Sequence, residues 1–217
     1  MSDELALDES IQSVPAPALP PRKTGRILVA HYVSNILSPV AISLPFVLLV
    51  ALYHAQNVPM ALLSALIVLF FLSFGPMIYI LIGVRMGKFS DPDVSMRSQR
   101  VGPFLFGIGS SLVGFVTLFV THGPKNLQTL VLITIISGVV MMVVTLWWKI
   151  SIHASSLAAV ATVLTALYGL VLLTSFVLLI AVCWSRVVLR RHTLGQVIAG
   201  SLVSIALTSL ILVIRGV

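Results

Sequence analysis

The chain has 217 residues, of which 59% are hydrophobic and 9% are charged, and its mean hydropathy is +1.13. Soluble domains usually carry about 25% charged residues, so this composition excludes a largely water-facing surface and indicates a chain that lies mostly in lipid. The formal charge of +7 belongs to short segments between apolar runs, without the basic and aromatic surface typical of nucleic-acid binding. Nucleic acid is therefore not an expected partner.

The N-terminal segment, residues 1–25, is predicted to be a disordered cytoplasmic tail. Four acidic residues are followed by a proline-rich stretch, and the segment lacks the apolar core of a secretory signal. A polar segment of this kind buries too little apolar surface to offset the entropy lost on ordering. We expect residues 26–217 to form a single transmembrane helical domain.

Apolar runs predict the spanning helices in chain order. Five runs reach the roughly 20 residues that a spanning helix needs: 27–53, 60–84, 101–121, 127–148 and 194–214. Prolines within the first two predict kinks and not breaks, because neighbouring helices can satisfy the freed carbonyl groups. A sixth run, 154–184, is long for one helix and short for two full spans, and Tyr168-Gly169 near its middle can form a tight reversal.

The distribution of positive charge distinguishes a topology of six spans from one of seven. With a cytoplasmic N-terminus, seven spans place 11 Lys and Arg residues inside and 2 outside, whereas six spans place 8 inside and 5 outside. The positive-inside rule therefore favours seven. The predicted fold class is an all-α transmembrane bundle of six to seven spans. It would be an integral protein of the cell membrane that contacts membrane lipids and possible partner helices.

The few polar residues restrict the chemistry that this chain can perform. Asp91 and Asp93 are the only acidic residues after Glu9, and Cys183 is the only cysteine. This content disfavours a two-carboxylate glycosidase mechanism, a diphosphate site built on two Asp clusters, and a structural zinc site. Arg, His, Ser and Gln remain at the predicted membrane edges, and these residue types suit anion binding without a metal or cofactor.

Three segments concentrate those polar residues. In the first, Arg97 and Arg100 have the spacing that places two guanidinium groups on one helical face. In the second, Ser151 can cap the helix that contains His153, and the free N–H groups of that helix start favour an anion. The plainer interpretation of the first segment is a basic loop that fixes the topology, and that of the second is a histidine at a helix interface.

The third segment is the most informative. Ser185 and Arg186 end one apolar run, and His192 lies four residues before Gln196 at the start of the next. Residues at this spacing share one helical face. Ionisable residues at a membrane edge are costly to place there and tend to be functional.

This segment resembles the third motif of the type 2 phosphatidic acid phosphatase superfamily, which reads Ser-Arg, five residues, His, three residues, Asp. Ser185, Arg186 and His192 match that pattern, and Gln196 stands in place of the aspartate. The second motif, Pro-Ser-Gly-His, is matched by Ser151 and His153. The first motif, Lys, six residues, Arg-Pro, is degraded: Arg97 or Arg100 can stand for its arginine, whereas Lys88 lies too far upstream and Pro103 is displaced.

The resemblance implies a catalytic mechanism. His192 would attack phosphorus to form a phosphohistidine, and His153 would protonate the leaving alkoxide. The phosphoryl oxygens would be held by Arg97, Arg100, Ser151, Ser185 and Arg186. The implied substrate is a lipid phosphate or a prenyl diphosphate. Gln196 lacks the charge of the family aspartate, so a non-catalytic membrane subunit that binds lipid or partner helices is the alternative.

Overall fold

The described part of the chain is helical. The computed structural model describes residues 25–217 and contains, within that range, nine α-helices and no strand. They are α1 (Gly25–Ile36), α2 (Pro39–Leu52), α3 (Val58–Leu69), α4 (Gly75–Arg85), α5 (Val101–Val120), α6 (Lys125–Trp147), α7 (Ile152–Tyr168), α8 (Ser175–Val188) and α9 (Leu194–Arg215). The predicted all-helical fold is confirmed, whereas the predicted tail lies, except for Gly25, outside the described residues.

Four helical segments are long and apolar enough to cross a bilayer: Val58–Arg85, Arg97–Val120, Lys125–Trp147 and Leu194–Arg215. The bent pair α1 and α2 gives a fifth if it is counted as one span. At 17 and 14 residues, α7 and α8 fall short of the roughly 20 residues of a full span. The helices indicate an integral membrane protein with four to five candidate spans, and the prediction of six to seven is not confirmed.

The first predicted span is broken where only a kink was expected. α1 ends at Ile36 and α2 begins at Pro39, with an angle of 43° between them. Pro39 lacks the N–H that would continue the helix, and the Ser38 side chain accepts a hydrogen bond from Ala41 N at 3.3 Å to start a new one. The prediction of a continuous helix through this proline was therefore wrong.

Pro45 and Pro76 lie within helices that continue without a break, and the long sixth run is interrupted near its middle. Pro76 follows a π-helical turn, Phe70–Phe74, and the helical segment Val58–Arg85 continues through it. The long sixth run is interrupted at Gly169, whose φ of 79° ends α7, and a short 3₁₀ turn, Leu170–Thr174, leads into α8. A positive φ is readily adopted by glycine because it has no Cβ.

Hydrogen bonds between helix ends define the two ends of the bundle. At one end, Tyr168 Oη donates to the carbonyl of Leu49 at 2.7 Å, and Arg215 Nε donates to Thr129 Oγ1 at 3.3 Å. The other end brings together the end of α1 and the connections 86–100, 148–151 and 189–193. We call this second end the polar end, because Arg, His and Asp side chains meet there.

Close packing of α7 on α9 positions the polar end. A Cβ added at Gly200 would lie 3.0 Å from the carbonyl oxygen of Ser151, so this glycine lets α9 approach the start of α7. Buried apolar side chains of α7, α8 and α9, including Leu157, Leu179 and Val197, pack together below the polar end. The starts of α7 and α9 are therefore held side by side.

Candidate anion-binding site

Arg186 lies at the centre of the polar end. It is in the last turn of α8 and is only 3% exposed. Its Nη1 donates to Ser34 Oγ at 2.8 Å and to Asp93 Oδ2 at 3.0 Å. Its Nε is buried and has no hydrogen-bond partner among the described residues. This Nε can therefore donate to one more acceptor, and such a bond would be favourable because a buried donor left unpaired is costly.

Asp91 organises the connection that carries Asp93. Its carboxylate accepts hydrogen bonds from Asp93 N at 3.0 Å and from Ser95 Oγ at 2.9 Å. Partial burial raises the pKa of Asp91, but hydrogen bonds from Ser90 and Ser95 outweigh it and hold that pKa below its ordinary value. Arg191 Nη1 donates to Ser95 Oγ at 2.6 Å, which ties the connection to the chain that follows α8.

Arg100 and Arg97 have different surroundings, although the sequence placed both in the site. Arg100 is 3% exposed, and it donates to the carbonyls of Val94 and Ile150, each at 3.0 Å. Arg97 is exposed and donates to the carbonyl of Leu146 at 2.7 Å. Of these two arginines, only Arg100 is buried at the polar end, where it links the 86–100 connection to the start of α7.

Ser151 and His153 begin α7 as the sequence predicted. Ser151 is the N-cap, and its Oγ accepts a hydrogen bond from Ala154 N at 3.4 Å. His153, in the first turn, is 8% exposed and interacts electrostatically with Arg186, Asp93 and Arg100. The second predicted segment therefore lies beside the third.

His192 lies in the short connection between α8 and α9 and is 7% exposed. Its Nδ1 lies 3.3 Å from Gln196 Oε1, the contact expected from their spacing. Burial, followed by the charges of Arg186, Arg100 and Lys149, lowers the pKa of His192 to about 3. The imidazole is therefore neutral at physiological pH, in the state that a nucleophile requires.

Gln196 and Ser185 both have local structural partners. Gln196 Oε1 also accepts a hydrogen bond from Thr193 N at 3.1 Å, and Thr193 Oγ1 accepts one from Gln196 N at 3.4 Å. This reciprocal pair is a capping box that starts α9. Ser185 is fully buried, and its Oγ donates to the carbonyl of Val182 at 2.8 Å. Ser185 thus bonds within its own helix.

Two cavities open at the polar end. The larger, about 380 Å³, is lined mostly by apolar side chains of α2, α4, α5, α6 and α7, with Asp93, Arg100 and His153 in its polar part. The smaller, about 220 Å³, is lined mainly by polar residues, which include Arg186 and Arg191 together with Asp91 and Asp93. The larger is within the size range of ligand pockets, roughly 300–1,000 Å³. Pro92 and Asp93 line both cavities.

Helix α1 also contributes to the polar end, which was not predicted from the sequence. His31, Ser34 and Asn35 line the polar cavity beside Arg186. Their spacing of three and four residues places them on one face of an otherwise apolar helix, a pattern that the sequence contained. Comparisons with protein-family models, with curated proteins and with solved structures found no match for this chain.

Proposed function

We propose that this protein is a membrane lipid phosphatase, a divergent relative of the type 2 phosphatidic acid phosphatases. The observation that carries the proposal is the buried Nε of Arg186, which has no hydrogen-bond partner among residues 25–217 and lies in a cluster with Arg100 and the two histidines of the resemblance. Arg suits phosphate because its planar fork can donate two parallel hydrogen bonds. Phosphoryl transfer depends mainly on positioning and charge stabilisation, which such a cluster supplies.

The cavities support a lipid phosphate or a prenyl diphosphate as substrate. An apolar cavity that reaches Arg100 and His153 suits a hydrocarbon chain, and the polar cavity at Arg186 suits an anionic head group. The ligand would therefore be an amphiphile that enters from the membrane. A small water-soluble phosphate ester would leave the apolar cavity empty.

The proposed reaction has two steps. His192 Nε2 attacks phosphorus while Nδ1 faces Gln196, the P–O bond to the lipid breaks, and His153, which has to be protonated in the complex with the anionic substrate, gives its proton to the leaving alkoxide. Water then attacks the phosphohistidine, the P–N bond breaks, and phosphate leaves, with the water proton passing to His153. Arg186 and Arg100 would stabilise the charge on the phosphoryl oxygens in both steps. The balance requires no metal or redox partner.

We further infer seven crossings, with the N-terminus and the polar end in the cytoplasm and the protein in the cell membrane. In this topology α1 and α2 count as one crossing, and α7 and α8 cross as two short helices. The support is the concentration of Lys and Arg in the segments assigned to the cytoplasm. Short helices can span when the bilayer thins locally, at a modest cost.

Phosphate release from a panel of lipid phosphates and prenyl diphosphates tests the catalytic proposal. Purified protein should release phosphate from at least one of them, His192→Ala should abolish release, and acid-labile phosphate should be trapped on His192. The matched control is His122→Ala, which removes an exposed histidine from the turn between α5 and α6. Release that survives His192→Ala would contradict the mechanism.

A non-catalytic lipid-binding subunit is the second candidate, and one observation favours it. Gln196 Oε1 is shared between His192 and the α9 cap, and an amide brings no charge to offset an imidazolium. In Ser-His-Asp hydrolases, the comparable change from Asp to Asn costs about 10⁴ in kcat. Tight binding of a lipid phosphate that depends on Arg186, without phosphate release from any substrate, would favour this candidate.

A further inference from the structure

Asp93 pairs with the guanidinium of Arg186, the group that would receive an anionic ligand. The only acidic residues in the range 25–217 are Asp91 and Asp93. The Asp91 carboxylate is engaged by its own connection, whereas Asp93 Oδ2 forms an ion pair with Arg186 Nη1 at 3.0 Å. The Asp93 side chain is 36% exposed and that of Arg186 is 4% exposed, so the carboxylate reaches the guanidinium from the solvent side.

The Asp93 carboxylate is charged at neutral pH. Burial raises the pKa of Asp93, but the charges of Arg186 and His153 and the hydrogen bond from Arg186 outweigh burial and hold that pKa below its ordinary value. Asp93 therefore neutralises one positive charge at the centre of the site. A phosphate group would need the same positive charge for its own binding.

Pro92 and Asp93 lie between the two cavities. Pro92 and Asp93 line both, and Val94 follows them with a φ of 45°, a left-handed conformation that is unfavourable for a β-branched residue. Arg100 holds the Val94 carbonyl, so the backbone is fixed beside the site while the Asp93 side chain remains partly exposed. Rotation of that side chain would remove part of what lies between the cavities without moving the backbone.

We propose that Asp93 is a resident competitor for the anion site, and that the anionic head group of a ligand displaces its carboxylate from Arg186. This inference rests on the proposed function, since it assumes that Arg186 receives the head group. Displacement also clears this space between the cavities, so that one ligand can place its head at Arg186 and its chain in the apolar cavity. The ligand class is therefore an amphiphile with an anionic head and a hydrocarbon chain.

A supporting role for Asp93 is the opposite interpretation, in which it holds Arg186 in position for the ligand. Arg186 Nη1 also donates to Ser34 Oγ, and its Nε is not used by Asp93. The guanidinium thus has a second anchor and a free donor without the carboxylate. Asp93→Asn separates the two interpretations, because asparagine retains the shape and a hydrogen-bond acceptor but lacks the charge.

The test is binding of dodecyl phosphate to the purified full-length protein in nonionic detergent. Asp93→Asn should bind at least about tenfold more tightly than wild type, equivalent to about 1.4 kcal/mol, and Asp93→Ala should show the same direction if Asp93→Asn folds poorly. Ser98→Lys is the matched control, because it also raises the charge by one, at an exposed position of the same connection. A similar gain in Ser98→Lys would overturn the proposal by showing a long-range charge effect.

The remaining outcomes separate this inference from the function on which it rests. If wild type binds, Arg186→Gln does not, and Asp93→Asn binds equally or more weakly, the competitor role is wrong while the anion site stands. If neither wild type nor either Asp93 variant binds, both proposals are wrong. Binding to Asp93→Asn when wild type binds only weakly would be the clearest support.

Discussion

The neutral state of buried His192 predicts a specific loss of stability in mild acid. Its pKa falls from an ordinary value of 6.5 to about 3, because of burial and then the nearby positive charges of Arg186, Arg100 and Lys149. Between those two values the unfolded chain binds a proton that the folded protein does not take up. Stability therefore declines as the pH falls from about 6.5 towards about 3.

The size of the effect follows from the separation of the two pKa values. At pH 5 the unfolded histidine is protonated and the folded one is not. The free energy of unfolding therefore falls by about 1.36 kcal/mol for each of the roughly 1.5 pH units below 6.5, or about 2 kcal/mol in all. For a chain of this length, 1 kcal/mol corresponds to about 2–4 °C in Tm. The expected contribution of His192 is therefore a fall of about 4–8 °C in Tm between pH 7 and pH 5.

Thermal unfolding of wild type and His192→Gln in nonionic detergent, at pH 7 and pH 5, measures this contribution. Glutamine cannot be protonated in this range, so the variant should lose less Tm than wild type on acidification. His122→Gln removes an exposed imidazole elsewhere and is the reference for a general histidine effect. Equal losses of Tm in wild type and His192→Gln would refute the buried, neutral state of His192.

Two further predictions concern the chemistry and the topology. Gln196→Asp should raise the single-turnover rate of phosphate release at least about tenfold, because a carboxylate beside His192 stabilises the developing imidazolium. Gln196→Leu should lower that rate. Unchanged rates in both variants would contradict the role of this contact. The topology is tested with single cysteines, Tyr168→Cys and Arg190→Cys, in a Cys183→Ser background. They should react with a membrane-impermeant thiol reagent from opposite sides of the membrane, because α8 is proposed to cross between them. Labelling from the same side would contradict that crossing.

Much of the helical fold could be predicted from apolar runs, but their interruption by proline could not. The sequence located the interruption at Gly169, because a glycine in the middle of an overlong apolar run is a clear local signal. Pro39 and Pro76 give the same signal in sequence, yet the helix restarts at the first and continues through the second. The two sites differ in what precedes the proline: the Ser38 cap before Pro39, and the π turn Phe70–Phe74 before Pro76.

The candidate site could be predicted where spacing along one helix carries the information. Ser151 as a cap and the contact of His192 with Gln196 depend on residues three or four positions apart. The approach of Asp93 and Ser34 to Arg186 joins residues 93 and 152 positions apart in the chain. Such contacts are set by tertiary packing, and a single sequence gives no periodic signal for them.

The position of the carboxylate determines what the anion site can do. In the phosphatase motif that this chain resembles, the carboxylate follows the nucleophilic histidine on the same helix, where it can offset an imidazolium. Here Gln196 leaves His192 with an uncharged partner, and the nearby carboxylate, Asp93, pairs with Arg186. The same negative charge therefore opposes ligand binding instead of assisting His192. A ligand that displaces Asp93 frees this carboxylate beside His153, with which it already interacts, so binding and protonation of the leaving group would be coupled through one residue.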